Sequence, residues 1–407
     1  MLINILKFAI SEGLAKLAPF LTTLYVAKLL TPDLFGRYTL IVVAFEILFI
    51  LISFNIQATT RIDFFKEEPP TFKKTKQSHF QLSLIIACIA CVSLLFFQGT
   101  DRVVLLVLLL SALLRTYSVF ILAVFQCCQK VNYYVVVNVT FVCLLSFFTL
   151  LFLELGASYF SWAYAILGAS TLQLLLAVKL YGFHRFRSLL CTSFDLNALK
   201  ITIVPAALFM PQAIGWWLKN GAERFLIEKY LGAEVLGNYA LTFQLSSLQI
   251  IGVTTLNLAI VPLVNKRLKE KNYQYVVALL AKISIVILVG VVVAYFLISW
   301  GIPFMYGSKY QLARELVPLF CLSNLFQALM LLYINVLYYE NDGAYVAKVI
   351  FTAFFLQFAI ALFLLSFAGG GVKAVLICSA FFNVAVCFLI GYRIMKKTPA
   401  KLKFAVY

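Results

Sequence analysis

Twelve apolar runs, most of them about 20 residues long, succeed one another along this 407-residue chain. They fall near residues 4–30, 38–58, 80–97, 103–126, 133–153 and 161–181, then 201–219, 238–263, 275–300, 313–338, 344–367 and 372–392. A helix of about 20 residues matches the bilayer's hydrocarbon thickness, and in lipid a backbone must satisfy its own hydrogen bonds. The runs therefore predict an all-α integral membrane protein with twelve transmembrane helices. Composition agrees: 63% of residues are hydrophobic and 12% charged, and the mean hydropathy is +0.99. An ordinary soluble domain and a disordered chain are both excluded. The N-terminal stretch carries Glu12 and Lys16 and has no small-residue cleavage site, so it is expected to be the first span rather than a removed signal.

The connections between runs alternate in charge. Eighteen cations fall in one set, from Arg61, Lys66, Lys73, Lys74 and Lys76 to the tail after residue 392, against nine in the other. By the positive-inside rule the richer set and both termini are cytoplasmic. Much of the net charge of +17 is thereby an orientation signal, and no nucleic-acid partner is expected. The nine cysteines lie mainly inside apolar runs or, as Cys127 and Cys128, side by side. Neither a disulfide framework nor a metal site is expected.

Residues 28–40, KLLTPDLFGRYTL, and 229–241, KYLGAEVLGNYAL, match at an offset of 201, with Lys28/Lys229, Leu30/Leu231, Gly36/Gly237, Tyr38/Tyr239 and Leu40/Leu241 identical. Each segment joins the first span of its half to the second. Six spans return the chain to the same side, so the halves are expected to be parallel repeats related by a pseudo-two-fold axis along the membrane normal. The expected division is an N-terminal six-helix lobe, 1–200, and a C-terminal one, 201–407. Such repeats recur in secondary transporters that bind substrate between the halves.

Polar side chains inside the runs are unevenly placed. Glu12, Lys16 and Thr23 share one face of span one, and Glu46, Ser53 and Gln57 one face of span two. Gln212, Trp216, Lys219 and Glu223 share a face of span seven. Span eight carries Gln244, Ser246, Ser247, Gln249, Thr254, Thr255 and Asn257. Spans one, two, seven and eight are thus expected to line a hydrated cleft. Arg115, in the middle of span four, reads either as a cation facing that cleft or as half of an internal ion pair, for instance with Glu46. Lys282 lies two turns inside span nine, where it either serves the cleft or snorkels to the interface. Lys219, Glu223 and Arg224 are expected at the periplasmic mouth. Paired Trp216 and Trp217 suit an interface anchor better than a sugar platform.

The connection AKLLTPDLFGRYTL, SFNIQATTR ending in Arg61, GAERFLIEKYLGAEVLGNYAL and FMYGSKYQLARELVPL together resemble the multidrug/oligosaccharidyl-lipid/polysaccharide (MOP) exporter superfamily, specifically its O-antigen and polysaccharide-unit (Wzx-type) flippases. The related lipid II flippases usually carry two further spans, which this chain lacks. The resemblance implies passage of an undecaprenyl-diphosphate-linked oligosaccharide between leaflets of a bacterial inner membrane by rocking of the two lobes. It also implies a driving H⁺ or Na⁺ gradient, a role in O-antigen or capsule (lipopolysaccharide) assembly, and a polysaccharide polymerase and chain-length regulator as partners. On this expectation Lys16, Arg115 and Lys282 hold the diphosphate, with Arg61 at the cytoplasmic entrance. Gln57, Gln244 and Asn257 contact sugar, Glu12 or Glu46 couples the ion, and Lys219, Glu223 and Arg224 gate the periplasmic side. No cofactor is expected.

Two other classes stay open at this point. A multidrug or cation antiporter of the same fold would favour surplus carboxylates in the cleft, and the tally of Glu12 and Glu46 against Lys16, Arg115 and Lys282 leans the other way. A membrane polymerase or acyltransferase would need a catalytic loop. His79 and His184 lack triad or metal partners in sequence, so no enzyme is expected.

Overall fold

The computed structural model describes residues 2–96, 99–190 and 196–397. Among them every regular element is helical. Six stretches are long and apolar enough to cross a membrane, or seven if the bent pair Ala233–Asn257 and Ile260–Lys269 is counted as one span. Two of the six are long enough for two crossings. Val131–Tyr181 breaks at Gly156, φ 84°, into α6 (Val131–Phe152) and α7 (Ser161–Tyr181), which pack along each other. Tyr273–Tyr339 breaks at Gly307, φ 62°, into α12 (Tyr273–Tyr306) and α13 (Gln311–Tyr339). The chain is a multi-pass membrane protein.

Contacts divide it into two units. The first takes residues 1–26 and 38–214, the second 27–37 and 215–407. In the first unit lie most of α1 (Leu2–Leu29) and α2 (Pro32–Ser53), with α3 (Ile56–Lys66), α4 (Pro69–Ser93), α5 (Gly99–Cys127), α6 and α7. A short α8 (Phe183–Leu190) and most of α9 (Leu196–Trp217) complete it. Its core packs Ile52, Leu108, Ala112, Phe141 and Ala169 at the α5–α6–α7 junction. A second cluster joins Phe80, Phe120, Val137 and Phe186 towards α8.

The second unit holds α10 (Glu223–Leu231), α11 (Ala233–Lys269), α12, α13, α14 (Gly343–Ser366) and α15 (Val372–Lys397). Met330, Val346, Ile350, Phe354, Phe382 and Val386 form its main core. Segment 27–37 joins this unit although the helices it connects belong mostly to the other. Tyr310 O–H donates to the Ala27 carbonyl at 3.0 Å, and Phe35 meets the Tyr310 ring edge-on at 6.4 Å. Here the two repeat-equivalent connectors touch. A Cβ on Gly36 would strike the Ala233 carbonyl oxygen, and one on Gly237 the Pro32 carbonyl oxygen. Both positions are glycine because two backbones pass within side-chain distance.

Candidate functional site

Each unit sets buried or half-buried cations against phenylalanine rings. In the first, α5 presents Arg115, flanked by the buried Ser111 and Ser118, whose hydroxyls turn back to backbone carbonyls one turn earlier. Arg115 Nη1 donates to Gln173 Oε1 on α7, and the guanidinium lies over the Phe141 ring of α6, 3.7 Å from its centroid. Arg115 itself is half-buried. Gln173 is fully buried, and its Nε2 has no partner. Asn138 of α6 donates to Ser11 at 3.2 Å beside this group.

The second unit's group is larger and more enclosed. Lys219, Glu223 and Arg224 are only 5%, 1% and 8% exposed. They sit where α9 passes through a wider turn, Leu218–Ala222, into α10. Lys219 Nζ donates to Gln327 Oε1 on α13, and lies 5.1 Å from the Phe354 ring and 5.6 Å from Trp216. Glu223 accepts from Gln357 Nε2 at 2.6 Å and from Tyr239 O–H at 3.3 Å. Arg224 stacks over Phe243 at 4.6 Å. Burial of a charge is costly unless hydrogen bonds replace water, and here α11, α13 and α14 supply them. Trp216 packs on Phe354 at 5.5 Å, inside the unit rather than as a free anchor.

The other sequence-derived residues are more open. Lys16, Glu46 and Lys282 are exposed, and Gln57 and Gln244 are half-buried. Arg61 is exposed, its Nε donating to Gln126 Oε1 at 2.9 Å. Asn257 donates to the Leu331 carbonyl at 3.0 Å and accepts from Asn335 at 3.4 Å, so both ends of its amide are engaged within the second unit. The Glu12 side chain lies outside the described residues. Sequence reasoning missed Gln173, Gln327 and Gln357. The signal was an amide inside an apolar run, alone in its run for Gln173 and Gln357 and beside Asn324 and Asn335 for Gln327, a group affordable in lipid only with a partner. No group of three or more His, Cys, Asp or Glu side chains that could hold a metal occurs among the described residues.

Residues 1–266 match the model of a family described as "Polysaccharide biosynthesis protein". The chain belongs to that family. Solved structures give the fold. An inward-facing multidrug resistance MATE family transporter of the MOP superfamily superposes with a TM-score of 0.72 at 15% identity, covering 98% of this chain and 100% of the other. An outward-facing MATE transporter of the same superfamily gives 0.59 at 16%, covering 98% and 96%. A MOP superfamily transporter from Pyrococcus furiosus, whose binding pocket is described as reversed in polarity, gives 0.58 at 14%, covering 95% and 93%. Among curated proteins none matches significantly. Family and fold together describe a polysaccharide-biosynthesis family member that shares the fold of the MOP superfamily transporters.

Outside the spans, the turn between α13 and α14 is clamped to the last helix. Asp342 accepts from Arg393 Nε at 2.7 Å and pairs with Lys397 at 3.0 Å. Hydrogen bonds from Arg393 and then Lys397 pull the Asp342 carboxyl from its ordinary 3.8 down to about 2. A carboxyl depressed in the folded state stabilises fully above its unfolded value, near pH 4, and loses that contribution as pH falls towards 2. The stability difference between wild type and Asp342→Asn, measured by thermal unfolding in detergent, should therefore be constant above about pH 5 and vanish towards pH 2. A difference independent of pH across that window would rule the clamp out.

Proposed function

We propose that the protein flips a polyprenyl-diphosphate-linked oligosaccharide from the cytoplasmic to the periplasmic leaflet of a bacterial inner membrane, with both termini cytoplasmic. The observation that carries this reading is the match to a polysaccharide-biosynthesis family over residues 1–266 of a chain with a MOP transporter fold. A diphosphate-oligosaccharide head carries about two charges and many hydroxyls, and crossing the apolar core unaided is prohibitive. Twelve spans in two lobes, 1–200 and 201–407, would provide alternating access. Exposed Lys16 and Lys282 and half-buried Arg115 supply charge-assisted contacts to phosphate. Arg61 serves the cytoplasmic entrance, and Gln57, Gln244 and Asn257 replace water at the sugar. Glu12 or Glu46 couples H⁺ or Na⁺, a carboxylate in the membrane being suited to either. Lys219, Glu223 and Arg224, expected from sequence as a periplasmic gate, are enclosed by their own unit, and we assign them to holding that unit together.

A second reading is supported by the multidrug transporters among the structural relatives. The deciding experiment reconstitutes the protein in proteoliposomes with a fluorescent polyprenyl-diphosphate oligosaccharide, and separately with a cationic dye. Leaflet transfer of the lipid, dependent on a pH or Na⁺ gradient and without dye efflux, is the expected result. Dye efflux without lipid transfer would overturn the reading in favour of drug export.

A further inference from the structure

The cytoplasm-assigned side of the first unit carries a basic surface that contains none of the residues assigned above to transport. Its frame is a helical hairpin and a short amphipathic helix. Phe64 of α3 meets Phe72 of α4 edge-on at 5.6 Å, which closes the hairpin. Helix α8 buries Phe186 and Leu189, with Phe186 edge-on to Tyr117 at 6.0 Å, and leaves His184, Arg185 and Arg187 exposed. Gln77 Nε2 of α4 donates to the Ser188 carbonyl of α8 at 2.7 Å. That bond locks the two pieces together one turn from Lys73 and Lys74 and one residue from Arg187.

Most acids of this region are spent internally. Asp63 pairs with the buried Lys76 at 2.5 Å, and Glu67 accepts from Thr75 at 2.8 Å. Among the described residues there, Glu68 is the one exposed acid, against the exposed cations Lys66, Lys73, Lys74, Arg185 and Arg187. Beside these cations stand two aromatic rings with no polar atom, Phe65 at 73% and Phe183 at 63% exposure. A free phosphate would have no use for them. Clustered cations next to a membrane span, combined with exposed aromatics on a short amphipathic helix, match the surface of an anionic bilayer.

We propose that this face of the first unit binds anionic phospholipid, the five cations engaging headgroup phosphates and Phe65 and Phe183 entering the acyl boundary. The proposal is independent of what the protein transports.

Purified protein is equilibrated in mixed phosphatidylcholine/phosphatidylglycerol vesicles, extracted gently, and its retained lipid counted by native mass spectrometry. Wild type is expected to enrich phosphatidylglycerol by about tenfold or more over the bulk ratio. The quadruple variant Lys73→Gln/Lys74→Gln/Arg185→Gln/Arg187→Gln should lose most of that enrichment. A variant of the second unit, Lys266→Gln/Lys269→Gln/Lys271→Gln, should keep it. Phe65→Ser/Phe183→Ser preserves every charge and guards against misfolding of the quadruple variant; it should reduce retention severalfold. Equal enrichment in wild type and the quadruple variant overturns the proposal, as does equal loss in the second-unit variant. Displacement of the lipid by inorganic phosphate at millimolar concentration would also overturn it, making the surface a free-anion site.

Discussion

Glu223→Ala is expected to cost about 3–5 kcal/mol, the usual penalty for removing one partner of a buried charge group. The carboxylate is 1% exposed and is the acceptor for both Gln357 Nε2 and Tyr239 O–H. Its removal leaves two buried donors unmet. It also leaves Lys219, four residues earlier and 5% exposed, with Gln327 and two aromatic faces but without its neighbouring anion. For a unit of about 200 residues each kcal/mol is worth roughly 2–4 °C, so the unfolding midpoint in detergent should fall by about 10 °C. Removing both charges while keeping volume is a different experiment. Lys219→Met/Glu223→Gln retains an acceptor for Tyr239 and an apolar stem for Phe354, and it should recover more than half of the loss. If Glu223→Ala unfolds within a degree or two of wild type, the cluster does not hold the unit together, and a role in gating returns.

What the sequence made legible was the one-dimensional part of this arrangement. The face shared by Trp216, Lys219 and Glu223 follows from helical spacing, and the costliness of charge in lipid marked it for attention. Its enclosure did not follow, because the partners Gln327 and Gln357 lie 108 and 134 residues further on. Helical spacing says which side chains share a face and nothing about which distant helix covers it. The same limit applies to Arg115 and its partner Gln173, 58 residues away. The repeat was legible for the opposite reason. Gly36 and Gly237 recur at a fixed offset because each carries the same local duty at a connector. That the two glycines lie against each other's connector, with segment 27–37 in the second unit, is a packing fact that identity alone cannot encode. The apolar runs forecast helices throughout, which the described residues show. The count of twelve crossings is a reading of the sequence alone; the described residues hold six stretches long and apolar enough to cross, two of them broken at Gly156 and Gly307.

Arg115→Gln is expected to reduce lipid transfer by about 10- to 100-fold while the protein remains folded. A hydrogen bond to a charged group contributes about 1.5–3 kcal/mol, and that converts to a rate or affinity change of this size. The geometry makes the arginine specific. Its guanidinium carbon lies 3.7 Å from the Phe141 ring centroid and its Nη1 donates to Gln173, two contacts that hold the group in place. Five N–H donors belong to the group, and a half-buried position leaves part of it accessible to a phosphate. Arg115→Lys keeps the charge but loses the guanidinium's contact with Phe141 and its capacity for bidentate hydrogen bonds, so it should recover only a minor fraction of transport. The stability readout separates the two roles this residue can have. A purely structural cation would lower the unfolding midpoint as much as Gln173→Ala does, with transport falling only in proportion to folded protein. A cargo-binding cation would leave the midpoint within a few degrees and depress transport per folded molecule, with the largest deficit at low lipid concentration, where binding rather than the turnover step limits the rate. Full transport by a folded Arg115→Gln protein would remove Arg115 from the diphosphate site and leave that task to Lys16 and Lys282.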